Sequence, residues 1–104
     1  MGQVFNAKRN EVSAKYEFLD GVTTEIVIVS LSTKESKEVA EHSKDETTNV
    51  LDHLEKAIRF MLQRNDKKIV DKIMKEQNDE GNLGDFFQAI SSAIDEEKKA
   101  KGNG

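Results

Sequence analysis

The sequence predicts an α+β fold, an N-terminal β-hairpin followed by three to four amphipathic α-helices. Two observations predict it. Up to about residue 30 the apolar residues alternate, as on one face of a strand; beyond it they recur at three and four, as along the stripe of a helix. Within the alternating part, Asp20-Gly21 supplies the positive-φ chemistry of a tight turn and divides it into two strands.

The elements follow in order. Residues 1–11 mix polar and charged types around Val4 and Phe5 and read as an N-terminal arm. A single α+β domain is expected over 12–96, with the hairpin at 12–29 and the helices within 33–96. Val12, Ala14, Tyr16 and Phe18 share one face of the first strand. The return strand, Val22 to Val29, opens with Thr23 and Thr24 and closes on β-branched residues. One hairpin does not stand alone in water, so the helices must cover its apolar face.

Ser32-Thr33-Lys34-Glu35 has the spacing of a capping box and starts a helix near Thr33. This helix is poor in apolar residues, with Val39 and Ala40 its main contributions, and either ends around His42-Ser43 or runs on through a kink. A second helix lies between Asp45 and Asn65. Its Val50, Leu51, Leu54, Ala57, Ile58, Met61 and Leu62 keep the i, i+3, i+4, i+7 rule. Asp66 caps a third, with Ile69, Val70, Ile73 and Met74 on one side and Gly81 as its stop. A fourth runs from about Leu83 to Lys99, with Leu83, Phe86, Phe87, Ile90, Ala93 and Ile94 in register. Residues 97–104, charged and ending in Gly102-Asn103-Gly104, read as a flexible C-terminal tail.

Composition narrows the function. The length of 104 residues fits one domain, and with neither Cys nor Pro there is no disulfide framework and no Cys-based metal site. Sixteen Lys and Arg against 20 Asp and Glu give a net charge of -4, the wrong sign for a protein that earns affinity by neutralising phosphates. The one lysine-rich helix, with Lys67, Lys68, Lys72 and Lys75, is offset by Asp66, Asp71 and Glu76, so no nucleic-acid partner is expected. No apolar run approaches the roughly 18 residues of a membrane span. Met1-Gly2-Gln3-Val4-Phe5-Asn6 carries neither a signal-peptide core nor the Ser or Thr of a myristoylation signal. The expected location is the cytoplasm, with no membrane partner. Only 36% of residues are hydrophobic and none is Trp, so the core is thin, and self-association or a protein partner is expected to stabilise it.

Each trace of chemistry has a plain structural reading beside it. His42 and His53, the only histidines, would lie about 16 Å apart on one continuous helix. That is beyond a shared metal, and surface histidines are expected. Glu76 to Phe87 imitates a calcium loop through Asn78, Glu80, Gly81 and Leu83, but Phe87 stands where the bidentate Glu is required. A helix-to-helix turn explains the same residues. Ser30, Ser32, Ser36, Ser43, Ser91 and Ser92 have no motif context, and Gly81 and Gly84 lack the Lys-Ser/Thr of a P-loop. No enzyme and no cofactor is expected.

Phe86-Phe87 is the one local concentration of aromatic mass. Adjacent helical side chains point about 100° apart. Either both rings pack against the second helix and the hairpin, or one lies in an exposed groove for a partner. The candidate protein-binding residues are Leu83, Phe86, Phe87, Ile90 and Ile94.

The layout also resembles a known family. The segment Tyr16-Glu17-Phe18-Leu19-Asp20-Gly21, a polar helix, a long amphipathic helix and then Asn82-Leu83-Gly84-Asp85-Phe86-Phe87-Gln88-Ala89-Ile90 are similar to the small tail assembly chaperones of long-tailed bacteriophages and prophages. The likeness spans roughly residues 12 to 95 and is one of layout, since that family has no signature motif. It implies a non-enzymatic protein of the bacterial host cytoplasm, absent from the mature virion. Such a protein coats the aggregation-prone tape measure protein and helps recruit tail tube protein around it. It further implies a longer frameshifted form, for which Lys98-Lys99 marks a possible slippage site. The alternative is a small acidic adaptor or regulatory module, antitoxin-like or anti-repressor-like, which would show the same composition.

Overall fold

A computed structural model describes residues 8–44 and 49–102 of the chain. Two antiparallel strands, β1 (Glu11–Glu17) and β2 (Thr23–Val29), precede four helices: α1 (Thr33–Ser43), α2 (Val50–Met61), α3 (Lys67–Asp79) and α4 (Leu83–Gly102). The fold is α+β, a hairpin followed by four helices. The register pairs Ala14 with Ile26 and Val12 with Ile28, so the alternating apolar residues of both strands face the helices.

The hairpin turn is longer than the two-residue form. Phe18 N–H donates to Val22 O at 2.8 Å and Gly21 N–H to Phe18 O at 2.8 Å, leaving Leu19, Asp20 and Gly21 as the loop. A two-residue type I′ turn needs positive φ at both central residues, and here only Gly21, at φ 88°, has it. Asp20 acts through its side chain, which accepts from Val22 N–H at 3.0 Å.

Helix starts are set by side chains that satisfy the orphan amides of the first turn. Ser32 caps α1 and exchanges hydrogen bonds with Glu35, the capping box its spacing predicts. A second capping box, Asn49 with Asp52, starts α2. The second helix therefore begins at Val50 and ends at Met61, within the span from Asp45 to Asn65; residues 45–48 lie outside the described residues. Asp66 caps α3 through Lys68 N–H. At its other end Gly81, φ 71°, completes a Schellman motif: Asn82 N–H reaches Gln77 O at 3.0 Å and Gly81 N–H reaches Asn78 O at 3.1 Å.

Two boundaries differ from the sequence reading. Of the arm expected over 1–11, residues 1–7 lie outside the described residues, and Glu11 already belongs to β1. Arg9 is tied down by an ion pair with Glu35 at 3.1 Å. At the other end, α4 continues through residues 97–102, which charge alone assigned to a tail; Glu, Lys and Ala are strong helix formers and extend it. Residues 103–104 lie outside the described residues.

The core gathers Tyr16, Phe18, Ile26 and Ile28 from the hairpin, Ile58, Met61 and Leu62 from α2 and its cap, Val70, Ile73 and Met74 from α3, and Leu83, Ile90 and Ile94 from α4. By contrast, α1 buries nothing, as its polar composition requires. Three polar ties hold the hairpin to the helices. The Tyr16 hydroxyl accepts from Gln77 Nε2 at 2.8 Å and donates to Glu76 Oε1 at 3.2 Å, and the other Glu76 oxygen accepts from Leu19 N–H at 3.1 Å. Burial, together with the Glu76 carboxylate, raises the Tyr16 pKa against the lowering effect of Gln77. The apparent calcium-loop residue Glu76 is thus spent on the hairpin tip.

Candidate functional site

The fourth helix supplies the residues that the sequence singles out, and the structure divides them. Leu83, Ile90 and Ile94 are 2%, 4% and 3% exposed and belong to the protein's own core. Spacing of three and four puts them on the inward stripe, and the hairpin and the other helices fill that stripe from the other side. Phe86 turns toward the hairpin, its ring edge-on to Tyr16 with centroids 5.8 Å apart. Phe87, one step round the helix, is half-buried and faces a groove.

That groove is open and shallow. Half-buried Leu31 and Phe87 form its apolar wall, over a floor of the core residues Met61 and Ile94, and Ser30, Ser36, Ser91, Asp95 and Lys98 form its rim. It lies where the end of the hairpin, the first turn of α1, the end of α2 and the outer side of α4 meet. The sequence named Phe87 and Ile94 as binding residues but not Leu31 or Met61. Met61 obeys the helical period and reads as core; Leu31 falls between the strand period and the helix cap, so neither pattern claims it.

Polar side chains tie together the elements that meet near the groove. Glu35, at the foot of α1, accepts from Ser32 N–H at 3.0 Å and from Gln63 Nε2 at 2.9 Å, and pairs with Arg9. Burial disfavours its charge, but Ser32, Gln63 and Arg9 outweigh burial and hold the carboxyl below its ordinary pKa. Asn65, just beyond α2, lays its amide along the outer edge of β2. It accepts from Val27 N–H at 2.8 Å and donates to Val27 O at 2.7 Å, so one side chain does the work of a neighbouring strand. Arg64 beside it ion-pairs with Glu11, which stands opposite the fully buried Val29.

No family model, no curated protein and no solved structure matches this chain.

The histidines are placed differently from the sequence expectation. Helix α1 ends at Ser43 and α2 begins at Val50, so His42 and His53 lie on separate helices and meet, Nδ1 to Nδ1 at 2.8 Å with rings edge-on. One Nδ1 must carry the proton and the other the lone pair. The 16 Å separation held only for a single continuous helix. Among the described residues no cluster of three His, Cys, Asp or Glu side chains could hold a metal ion. The Ser43 hydroxyl donates to the Ala40 carbonyl at 2.6 Å. Every buried side-chain nitrogen and oxygen among the described residues has a partner.

Apolar surface remains at two further places. Val50 and Leu51, in the first turn of α2, are 67% and 52% exposed; Leu19 and Val22, at the hairpin tip, are 70% and 57% exposed. No described helix is long and apolar enough to cross a membrane.

Proposed function

We propose that this protein is a tail assembly chaperone, which binds and solubilises a phage tape measure protein and aids assembly of the tail tube around it. The observation that carries the reading is the groove walled by Leu31 and Phe87 over the core residues Met61 and Ile94. An apolar strip between polar rims suits one face of an amphipathic client helix. The order of elements, a hairpin with a polar helix, an amphipathic helix of 12 residues and a late Gly-Asp-Phe-Phe helix, supports the same reading by its resemblance to that family, although the amphipathic helix is shorter than the sequence suggests. The acidic balance of the chain would keep a complex with an aggregation-prone client in solution.

The apolar stripes of α2, α3 and α4 mostly cover one another and the hairpin. Client binding is thereby confined to the groove and the exposed residues at element ends, and the whole stripe of α4 is not offered to a partner. Co-expression with a long, helix-rich open reading frame encoded beside this gene tests the proposal. The soluble fraction of that product is expected to rise with the native chain and to fall with Phe87→Ser. Because Phe87 also touches the core, Ser91→Arg is the second variant, filling the groove from its rim. A folded native chain that gives no rescue refutes the proposal. A gene remote from phage morphogenesis genes would favour the acidic adaptor.

A further inference from the structure

The hairpin is a two-stranded sheet, and its two edges are treated differently. Phe18 bonds Val22 and Ser30 bonds Asn10, so the even-numbered residues of β1 direct their backbone groups inward, toward β2. The odd-numbered residues Ser13, Lys15 and Glu17 therefore point their N–H and C=O groups outward. On the β2 side Asn65 takes the outward groups of Val27 and so interrupts that edge between Glu25 and Val29. On the β1 side no hydrogen bond reaches Ser13, Lys15 or Glu17, and all three residues are exposed. An open edge of this kind is a template for another strand.

We infer that the occupant is a second copy of this chain, joined β1 to β1 about a two-fold axis at Ser13 to make one continuous four-stranded sheet. The inference goes beyond the proposed function and does not depend on it. Charge selects the register. With Ser13 opposite Ser13 of the second copy, Lys15 faces the copy's Glu11 and Glu17 faces the copy's Arg9, just before its strand; Arg64 and Glu35 already pair with these two within their own chain, so each contact joins an existing ion pair and occurs twice by symmetry. On the other face of the sheet, Val12 meets the copy's Ala14, both only partly buried in the single chain. Neighbouring registers fail on the same test. An axis at Ala14 sets Glu11 against Glu17, an axis at Lys15 sets Lys15 against itself, and an axis at Val12 sets Arg9 against Lys15. Like charges directly opposite destabilise a pair, so this strand discriminates against its own misalignments.

The chain has no cysteine, which makes cross-linking a clean readout. In the Ser13-centred register the two Ser13 Cα atoms stand about 5.5 Å apart, within disulfide reach, while the two Lys15 Cα atoms are about 14 Å apart. Full-length Ser13→Cys is expected to oxidise to a covalent dimer, and Lys15→Cys to stay monomeric under the same conditions. Sedimentation of the native protein should show a concentration-dependent monomer–dimer equilibrium. Lys15→Glu, which turns two attractive contacts repulsive, should weaken it about tenfold or more. Ser13→Pro removes only an outward N–H and should give a folded monomer by circular dichroism. If Ser13→Pro fails to fold, the cysteine pair and Lys15→Glu still decide. A native chain that is monomeric up to its solubility limit overturns the inference, as does cross-linking through Lys15→Cys rather than Ser13→Cys. So does a monomer whose Ser13, Lys15 and Glu17 amides become protected from exchange only when a different protein is added.

Discussion

Replacing Asn65 by Ala isolates the device that closes the β2 edge. The substitution leaves Val27 N–H and Val27 O without partners and removes a further bond from Asn65 Nδ2 to Leu62 O at 2.9 Å. Three hydrogen bonds at a net value of about 0.5–1.5 kcal/mol each set the range. Water recovers part of the loss at this half-buried position, so the expected destabilisation is about 2 kcal/mol. For a chain of this size that lowers Tm by roughly 10 °C. Urea unfolding followed by circular dichroism measures the first number, and hydrogen exchange locates it. The Val27 amide, protected in the native protein only by Asn65, should exchange much faster in the variant, while Ile26 and Ile28, bonded within the hairpin, should change little. Asn65→Asp adds a sign test. Its carboxylate can still accept from Val27 N–H but sets negative charge against two carbonyl oxygens, which raises its folded-state pKa above the unfolded value. Its deficit should therefore be largest at neutral pH and shrink as the pH falls through that raised pKa, where a protonated carboxyl donates again. A change within about 0.5 kcal/mol for Asn65→Ala, with Val27 exchange unaltered, refutes the strand-mimic account.

Glu35→Gln should cost about 2 kcal/mol at neutral pH, because charge-assisted bonds to Ser32 N–H and Arg9 are lost. Since the folded pKa of Glu35 is lowered, its contribution is full above the ordinary carboxylate range and fades as pH falls through the lowered value. The variant's stability should accordingly converge on the native curve in acid, as urea titrations at a series of pH values would read. Ile58→Ala, at a fully buried position, should cost about 2–5 kcal/mol, whereas Val50→Ala, largely exposed, should stay within about 0.5 kcal/mol in the same assay. Asn49→Ala and Ser32→Ala each break a capping box and should each cost about 1 kcal/mol by chemical denaturation.

How far the fold can be read in the sequence depends on whether a signal is local. Ser32 and Glu35 act within one turn, and Val12, Ala14, Tyr16 and Phe18 within one strand, so their roles are visible in the residue order. Asn49 with Asp52 works the same way, yet Asp at that position is not the Glu or Gln of the usual capping-box signature, so the pattern alone does not fix where α2 starts. The loop at Gly21 differs from the short turn because the type of turn depends on how Phe18 and Val22 pair. Non-local contacts leave no trace of this kind. His42 meets His53 only because they lie on two helices rather than one. Asn65 looks like any turn residue until β2 lies beside it. In the candidate site, the stripe of Leu83, Ile90 and Ile94 was legible as apolar but not as covered, since periodicity shows that a face is greasy and not what lies against it. Phe87 differs from Phe86 only in which neighbour each ring meets.

The bonds from Tyr16 and Leu19 to Glu76 and Gln77 span 57 to 61 residues, which sets an order of events during synthesis. Strands made first wait for a helix translated some sixty residues later, about 3–12 s at ordinary bacterial or eukaryotic elongation rates. Throughout that interval the nascent hairpin lacks these bonds and the cover of α4, which packs on both strands, so the ribosome-bound chain is itself a substrate for holdases and proteases until α3 and α4 emerge.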